Sequence, residues 1–317
     1  MRLTTLLTPD GPRVGVLDGS MTDGVVRLLD AGPTLLDVIR GGEEALADAA
    51  RQAARSAEVL ELGQAAIGPL LDPPSVRDFL TYEAHLAELT GAPPPDEWYE
   101  MPLFYFSNPA SVVAPFGDVR MPPYVTQYDY ELEVAAVVGR AGSDLTSEQA
   151  SGHIVGYTLF NDWSARDLQV HEFRFPMGPS KSKDAAITLG PWLVTADEVA
   201  DRVVDGRLAL RTEVRLNGER VGGDLTSNMA WSFAELVAHA SRGTVVRPGD
   251  VLGSGTCGTG CLAEIKRTQP DTAPDWLRVG DVVRMEVEEL GSIENRLVPG
   301  PDPLPVPRGR RRIHRED

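Results

Sequence analysis

The strand-forming segments of this 317-residue chain follow one another with few helices between them. YELEVAAVVGR, HIVGYTLFND, LGPWLVTADEV, LRTEVRLNGERVGG and DVVRMEVEELGSIENRLV all carry the Val-rich texture and turn punctuation of strands. A doubly wound parallel sheet needs a helix between successive strands, so that architecture is excluded. The pattern predicts an α+β fold that is mostly β, with a mixed sheet and a few helices such as SFAELVAHASRG. The 31 glycines and 25 prolines suit the many turns this requires. With 42% hydrophobic residues the chain can bury a sizeable core without disulfides. No apolar run approaches the roughly 18–20 residues of a membrane span. The N-terminal MRLTTLLTPDGPRVG lacks the apolar stretch of a signal peptide.

Three segments follow from texture. Residues 1–70 read as a small α/β unit, with strands in RVGVLDG and GVVRLLD and then the helical stretch TLLDVIRGGEEALADAARQAARSAEVL. The prolines of LLDPPSVRDF break the chain near residue 71. Residues 71–300 form the main domain, in which VRDFLTYEAHLAELTG has helical periodicity. Residues 301–317 alternate proline and then gather arginines, a tail expected to be extended or disordered.

Thirty basic against 47 acidic residues give a net charge of −17. Such a body repels phosphate backbones, which argues against a nucleic-acid partner. Cys257 and Cys261 lie in CGTGC, with neither a second pair nor a redox C-x-x-C. They read as small buried thiols of a cytoplasmic protein.

Chemistry gathers in the carboxylates. In YDYELEVAAV a strand puts Glu131 and Glu133 on one face, about 6–7 Å apart, and Tyr130, Leu132 and Val134 on the other. Like charges side by side need a compensator, and hard oxygens suit Mg²⁺, Mn²⁺ or Ca²⁺. A solvated strand edge is the plainer alternative. Asp162 ends the strand TLFND just before a helix expected to start near Ser164, a common place for site residues or for a simple helix cap. Asp167, further along that helix, reads as surface. Asp78 and His85 stand seven residues apart, close to two turns if both are helical, so a carboxylate and an imidazole would share one face. His153, His171, His239 and His314 have no such company, although His171 could border a pocket.

Together these pieces resemble the fumarylacetoacetate hydrolase family, the metal-dependent hydrolases and decarboxylases of 1,3-dicarbonyl and 2-oxo acids. The resemblance covers roughly residues 71–300 and rests on DF-x5-H, YELEVAAVVG, FNDWSARDLQ, GPSKSKD with LGPWLV, RPGDVLGSGT and GTGCLAE, in that order. It implies a mixed β-sheet roll of the fumarylacetoacetase C-terminal type, and a homodimer. It implies Glu131, Glu133 and Asp162 as metal ligands, with Asp78 as a fourth. His85 matches the general base and Glu264 the acid that orients it. Lys181 matches the lysine for the substrate oxyanion, with Lys183 as the competing register. Tyr105, Arg166, Gln169 and Thr256 match residues that contact substrate. Two departures argue against fumarylacetoacetate itself: Phe173 stands where the best-known member has a second tyrosine, and LTGAPPPDEW lacks the arginine that follows the histidine.

The implied activity is hydrolysis of a C–C bond in an acylpyruvate or related β-diketo acid. Water activated by His85 attacks one carbonyl, and the departing carbon leaves as an enolate held by the metal and Lys181. Decarboxylation of an oxaloacetate-like acid, hydration or isomerisation of an unsaturated 2-oxo acid, and a non-catalytic small-molecule binder are the alternatives.

Overall fold

The computed structural model describes residues 1–310. Its frame is a 12-stranded mixed sheet. Ten strands run across it in the order Val59–Glu61, Val25–Leu28, Gly11–Asp18, Arg2–Thr8, Leu193–Thr195, Ile154–Asp162, Leu132–Val138, Val251–Gly253, Val76–Phe79 and Phe104–Ser107. The strands of residues 1–70 therefore extend the main sheet, joined to it where Arg2–Thr8 pairs with Leu193–Thr195. A second, five-stranded sheet contains the hairpin Thr212–Leu216 and Glu219–Gly222, whose Asn217-Gly218 turn has positive φ at both residues.

The strand Leu132–Val138 is buried along its whole length. Leu132, Val134, Ala136 and Val138 enter one core, and Ala135 and Val137 enter the other, where they meet Leu35, Val38 and Ile39 of the leading helices. Apolar cover on both faces explains its near-continuous Val/Ala run. Each such side chain contributes about 1.5–3 kcal/mol when fully buried. That stability fixes the register, and with it the directions of Glu133 within the strand and Glu131 just before it.

Local chemistry sets the helices. Ser232 and Glu235 form a reciprocal capping box at the start of Phe233–Ala240. The stretch expected as one leading helix breaks at Gly41–Gly42 into Leu35–Arg40 and Gly42–Arg55. One correction bears on the site. Residues 76–91 are not a single helix: Val76–Phe79 is a buried strand, and the helix starts only at Glu83 and ends at Gly91 in the left-handed region. Arg77 and Asp78 are both buried. Arg77 is tied to Asp250 at 3.4 Å, and Asp78 joins a carboxylate cluster. Asp78 and His85 thus do not share a helical face.

Residues 301–310 are exposed and form no regular element. The rest of the proposed tail, 311–317 with His314, lies outside the described residues. No helix among the described residues is long and apolar enough to cross a membrane.

Candidate active site and metal centre

Neighbouring strands bring the acidic side chains together. Glu133 pairs across with Phe160, two residues before Asp162 at the strand end. On the other side Ala135 pairs with Gly253, Gly253 with Asp78, and Asp78 with Tyr105. Asp78, Glu131 and Glu133 each offer an oxygen within 4.8 Å of the others. Asp162 joins them through shared donors: the Tyr105 hydroxyl donates to Asp78 Oδ2 at 2.7 Å and also to Asp162. Gly253 makes the room. A Cβ there would stand 2.5 Å from Asp78 Oδ1 and 3.1 Å from Glu133 Oε2. Its role is space between two carboxylates, which strand pattern alone does not signal.

The lysine at the cluster is Lys183. Its Nζ donates to Glu131 Oε2 at 2.5 Å, Asp162 Oδ2 at 2.7 Å and Ser164 Oγ at 2.6 Å, and its side chain is 3% exposed. Lys181, favoured by the sequence, has a side chain 59% exposed and pairs with Asp184. The two residues separate because Lys181–Lys183 is a short 3₁₀ turn, where an offset of two reverses inside and outside.

Arg166 opens the helix Arg166–Glu172 and is buried. It reaches Glu131 at 2.8 Å and Asp129 at 2.9 Å, and donates to Gln169 Oε1 at 3.0 Å. One Nη has no hydrogen-bond partner. Ser164, expected to begin that helix, lies instead in the short strand Ser164–Ala165. Asp167 is half-buried and accepts from Thr126. Thr256 is buried in the loop after Val251–Gly253.

Asp129 is the residue that sequence reasoning missed. It is fully buried. Besides Arg166 it accepts from the backbone N–H groups of Leu262 at 2.8 Å and Ala263 at 3.0 Å. Those begin the helix Leu262–Thr268, which carries Glu264. One carboxylate therefore caps the Glu264 helix and orients Arg166. Glu264 Oε1 lies 3.1 Å from His85 Nδ1, off the line of a hydrogen bond, with both side chains buried. Such pairs often align only when ligand binds.

Charge decides what the cluster is for. Taking an ion from water costs several kcal/mol. Here five buried carboxylates (Asp78, Asp129, Glu131, Glu133, Asp162) face two buried cations, Arg166 and Lys183, a formal surplus of three negative charges. Burial would raise Glu131, but Lys183, then Arg166, hold its carboxyl well below the usual range. Burial, then Asp78 and Glu131, push Glu133 well up. Asp162 is pushed up to about 7 by burial, against the pull of Lys183. Asp78 Oδ1, Glu133 Oε1 and Asp162 Oδ1 are buried without a hydrogen-bond partner. Hard oxygens of Asp78, Glu131 and Glu133 at short mutual range, with Asp162 tied to them through Tyr105 and Lys183, fit a divalent cation. Two cavities of about 210 Å³ lie elsewhere, in the leading segment, and none of these residues line them.

A profile of the fumarylacetoacetate (FAA) hydrolase C-terminal family matches residues 75–298. The chain belongs to this family. It is 32% identical over 307 residues to the human protein named oxaloacetate tautomerase FAHD2A, mitochondrial, covering 94% of this chain and 92% of that one. Among solved structures, fumarylacetoacetate hydrolase (EaFAH) of Exiguobacterium antarcticum is 27% identical with a TM-score of 0.75, covering 94% of this chain and 99% of that one. The 2-hydroxyhepta-2,4-diene-1,7-dioate isomerase of Mycobacterium marinum is 22% identical with a TM-score of 0.69, covering 94% and 98%, a likeness of fold. The mostly β mixed sheet is the fold of this family.

Proposed function

We propose that this enzyme interconverts the keto and enol forms of a 2-oxo diacid of the oxaloacetate type. The observation that carries the reading is the buried His85–Glu264 pair beside the carboxylate cluster. The 32% identity to a protein named oxaloacetate tautomerase, over nearly all of both chains, supports it.

Tautomerisation moves one proton from the carbon beside the carbonyl to the carbonyl oxygen. Nδ1 of His85 faces Glu264, so Nε2 is the nitrogen left for substrate. In this reading Glu264 holds the proton on Nδ1, Nε2 takes the carbon-bound proton, and the same imidazolium returns it to the oxygen. Lys183 and the unpartnered Nη of Arg166 supply positive charge for the substrate carboxylate and the developing enolate. Tyr105 holds Asp78 and Asp162 in place. Asp78, Glu131, Glu133 and Asp162 would hold Mg²⁺, or Mn²⁺ or Ca²⁺, which would supply Lewis acidity toward the substrate. Thr256 and Gln169 complete the proposed pocket wall. A homodimer belongs to the same proposal, and sedimentation of the purified chain tests it. Two buried free thiols support a reducing compartment, while the human relative is named mitochondrial.

Hydrolysis of an acylpyruvate is the second reading. It uses the same pair, since a histidine backed by a carboxylate can also deprotonate water. One panel separates the two: decay of enol absorbance for oxaloacetate and for acylpyruvates, with pyruvate and CO₂ release measured alongside. The proposal expects metal-dependent decay for oxaloacetate without product release, abolished by EDTA and lowered about 10²–10⁴-fold in His85→Ala. Pyruvate released from an acylpyruvate selects hydrolysis. No acceleration with Mg²⁺ or Mn²⁺ overturns both.

A further inference from the structure

The catalytic reading leaves Cys261 unused. This thiol is fully buried immediately before the helix Leu262–Thr268, and its Sγ lies 3.6 Å from Glu264 Oε2. His85 Nδ1 stands 3.1 Å from the other Glu264 oxygen. One ligand atom from each of His85, Cys261 and Glu264 lies within 4.8 Å of the other two. His85 Nδ1 and Glu264 Oε1 are buried and make no hydrogen bond. These are two unsatisfied ligand atoms 3.1 Å apart, with a sulfur beside them.

We propose that Cys261, His85 and Glu264 form a second metal site, selective for a soft or borderline ion of the zinc class, and that filling it stops turnover. Zinc bonds of about 2.0–2.3 Å put neighbouring ligand atoms of a tetrahedron about 3.3–3.7 Å apart. The His85 Nδ1–Glu264 Oε1 separation of 3.1 Å lies near that range, and Cys261 Sγ stands 3.6 Å from the second oxygen of the same carboxylate. One sulfur, one nitrogen and one oxygen donor favour such an ion over Mg²⁺, whereas Asp78, Glu131 and Glu133 offer oxygen alone. Binding breaks the Cys261 S–H bond, sends its proton to solvent and forms a metal–sulfur bond. The His85 proton moves from Nδ1 to Nε2, and the ion takes the freed Nδ1 lone pair and the Glu264 carboxylate, so Nε2 can no longer accept a proton from substrate. The inhibitory half of this inference rests on the proposed role of His85; the binding half does not.

Cadmium is the probe, because a cadmium thiolate absorbs in the near ultraviolet. Cd²⁺ is titrated into the full chain held in excess Mg²⁺. The expected result is a charge-transfer band that saturates near one equivalent, persists in Cys257→Ser and vanishes in both Cys261→Ser and Cys261→Ala. Thermal stabilisation by Mg²⁺ in the Cys261 variants reports that they are folded. With turnover as the second readout, Zn²⁺ inhibits, and Cys261→Ser raises the half-inhibiting concentration by about tenfold or more. A wild-type chain without the band, or a band that survives loss of Cys261, overturns the site. A band with no effect on turnover keeps the site and contradicts the role given to His85.

Discussion

At the scale of single residues, Lys183 shows how burial sorts two candidates that sequence treats alike. Two lysines in GPSKSKD carry the same charge, but only one is buried with three acceptors. Lys183→Ala leaves Glu131 and Asp162 buried without that cation, and a buried pair broken on one side costs about 3–5 kcal/mol. Lys183→Ala should therefore lose both activity and stability. Lys181→Ala, at an exposed pair worth at most about 1 kcal/mol, should leave both near wild type. Paired kinetic and melting measurements check this, and equal effects of the two changes would contradict it. Glu131 and Glu133 were legible because a strand has a period of two. The lysine was not, because a three-residue 3₁₀ turn is too short to show a period in the sequence.

At the scale of elements, the site depends on how the ends of the sheet strands and one short helix are tied together. Asp129 joins the Glu264 helix to Arg166, and Arg166 joins both to Glu131. Asp129→Asn removes the charge from a fully buried cap and should destabilise the fold by about 3–5 kcal/mol. It should also lower kcat more than it raises KM, since it displaces Glu264 and Arg166 together. Denaturant melts with steady-state kinetics test this, and an unchanged kcat would remove Asp129 from the positioning role. No sequence spacing announces such a residue. Its backbone partners at Leu262 and Ala263 lie more than a hundred residues away. Gly253 escaped for a related reason, because it works by the side chain it lacks. The helix expected through Asp78 failed because Val76–Phe79 pairs as a wholly buried strand, where Arg77 and Asp78 find their partners across the sheet.

At the scale of the molecule, the mostly β mixed sheet was legible from the missing helix alternation, and the carboxylate set from family order. The joining of the leading strands to the main sheet was not, since strand pairing between residues 2 and 194 leaves no local trace. Whole-protein stability should carry the signature of the crowded carboxylates. Asp162, at about 7 against an ordinary 3.8, keeps a proton that the unfolded chain has released. Glu133 is raised as well. Between about pH 5 and 7 the folded, metal-free protein binds more protons than the unfolded chain, so this group's contribution to stability falls as pH rises. Glu131 is shifted the other way, and its stabilisation changes only below that window. A divalent cation competes with those protons. The melting-temperature gap between Mg²⁺-loaded and metal-free protein should widen as pH rises from about 5 to 8. A constant gap would contradict the assignment of these groups as ligands.

The most direct measurement is the anomalous-scattering map of a crystal soaked in Mn²⁺. It should show one strong peak bounded by oxygens of Asp78, Glu131, Glu133 and Asp162, with Lys183 beside it. A well-ordered map with no peak among those four carboxylates would contradict the metal centre, and with it the proposed chemistry.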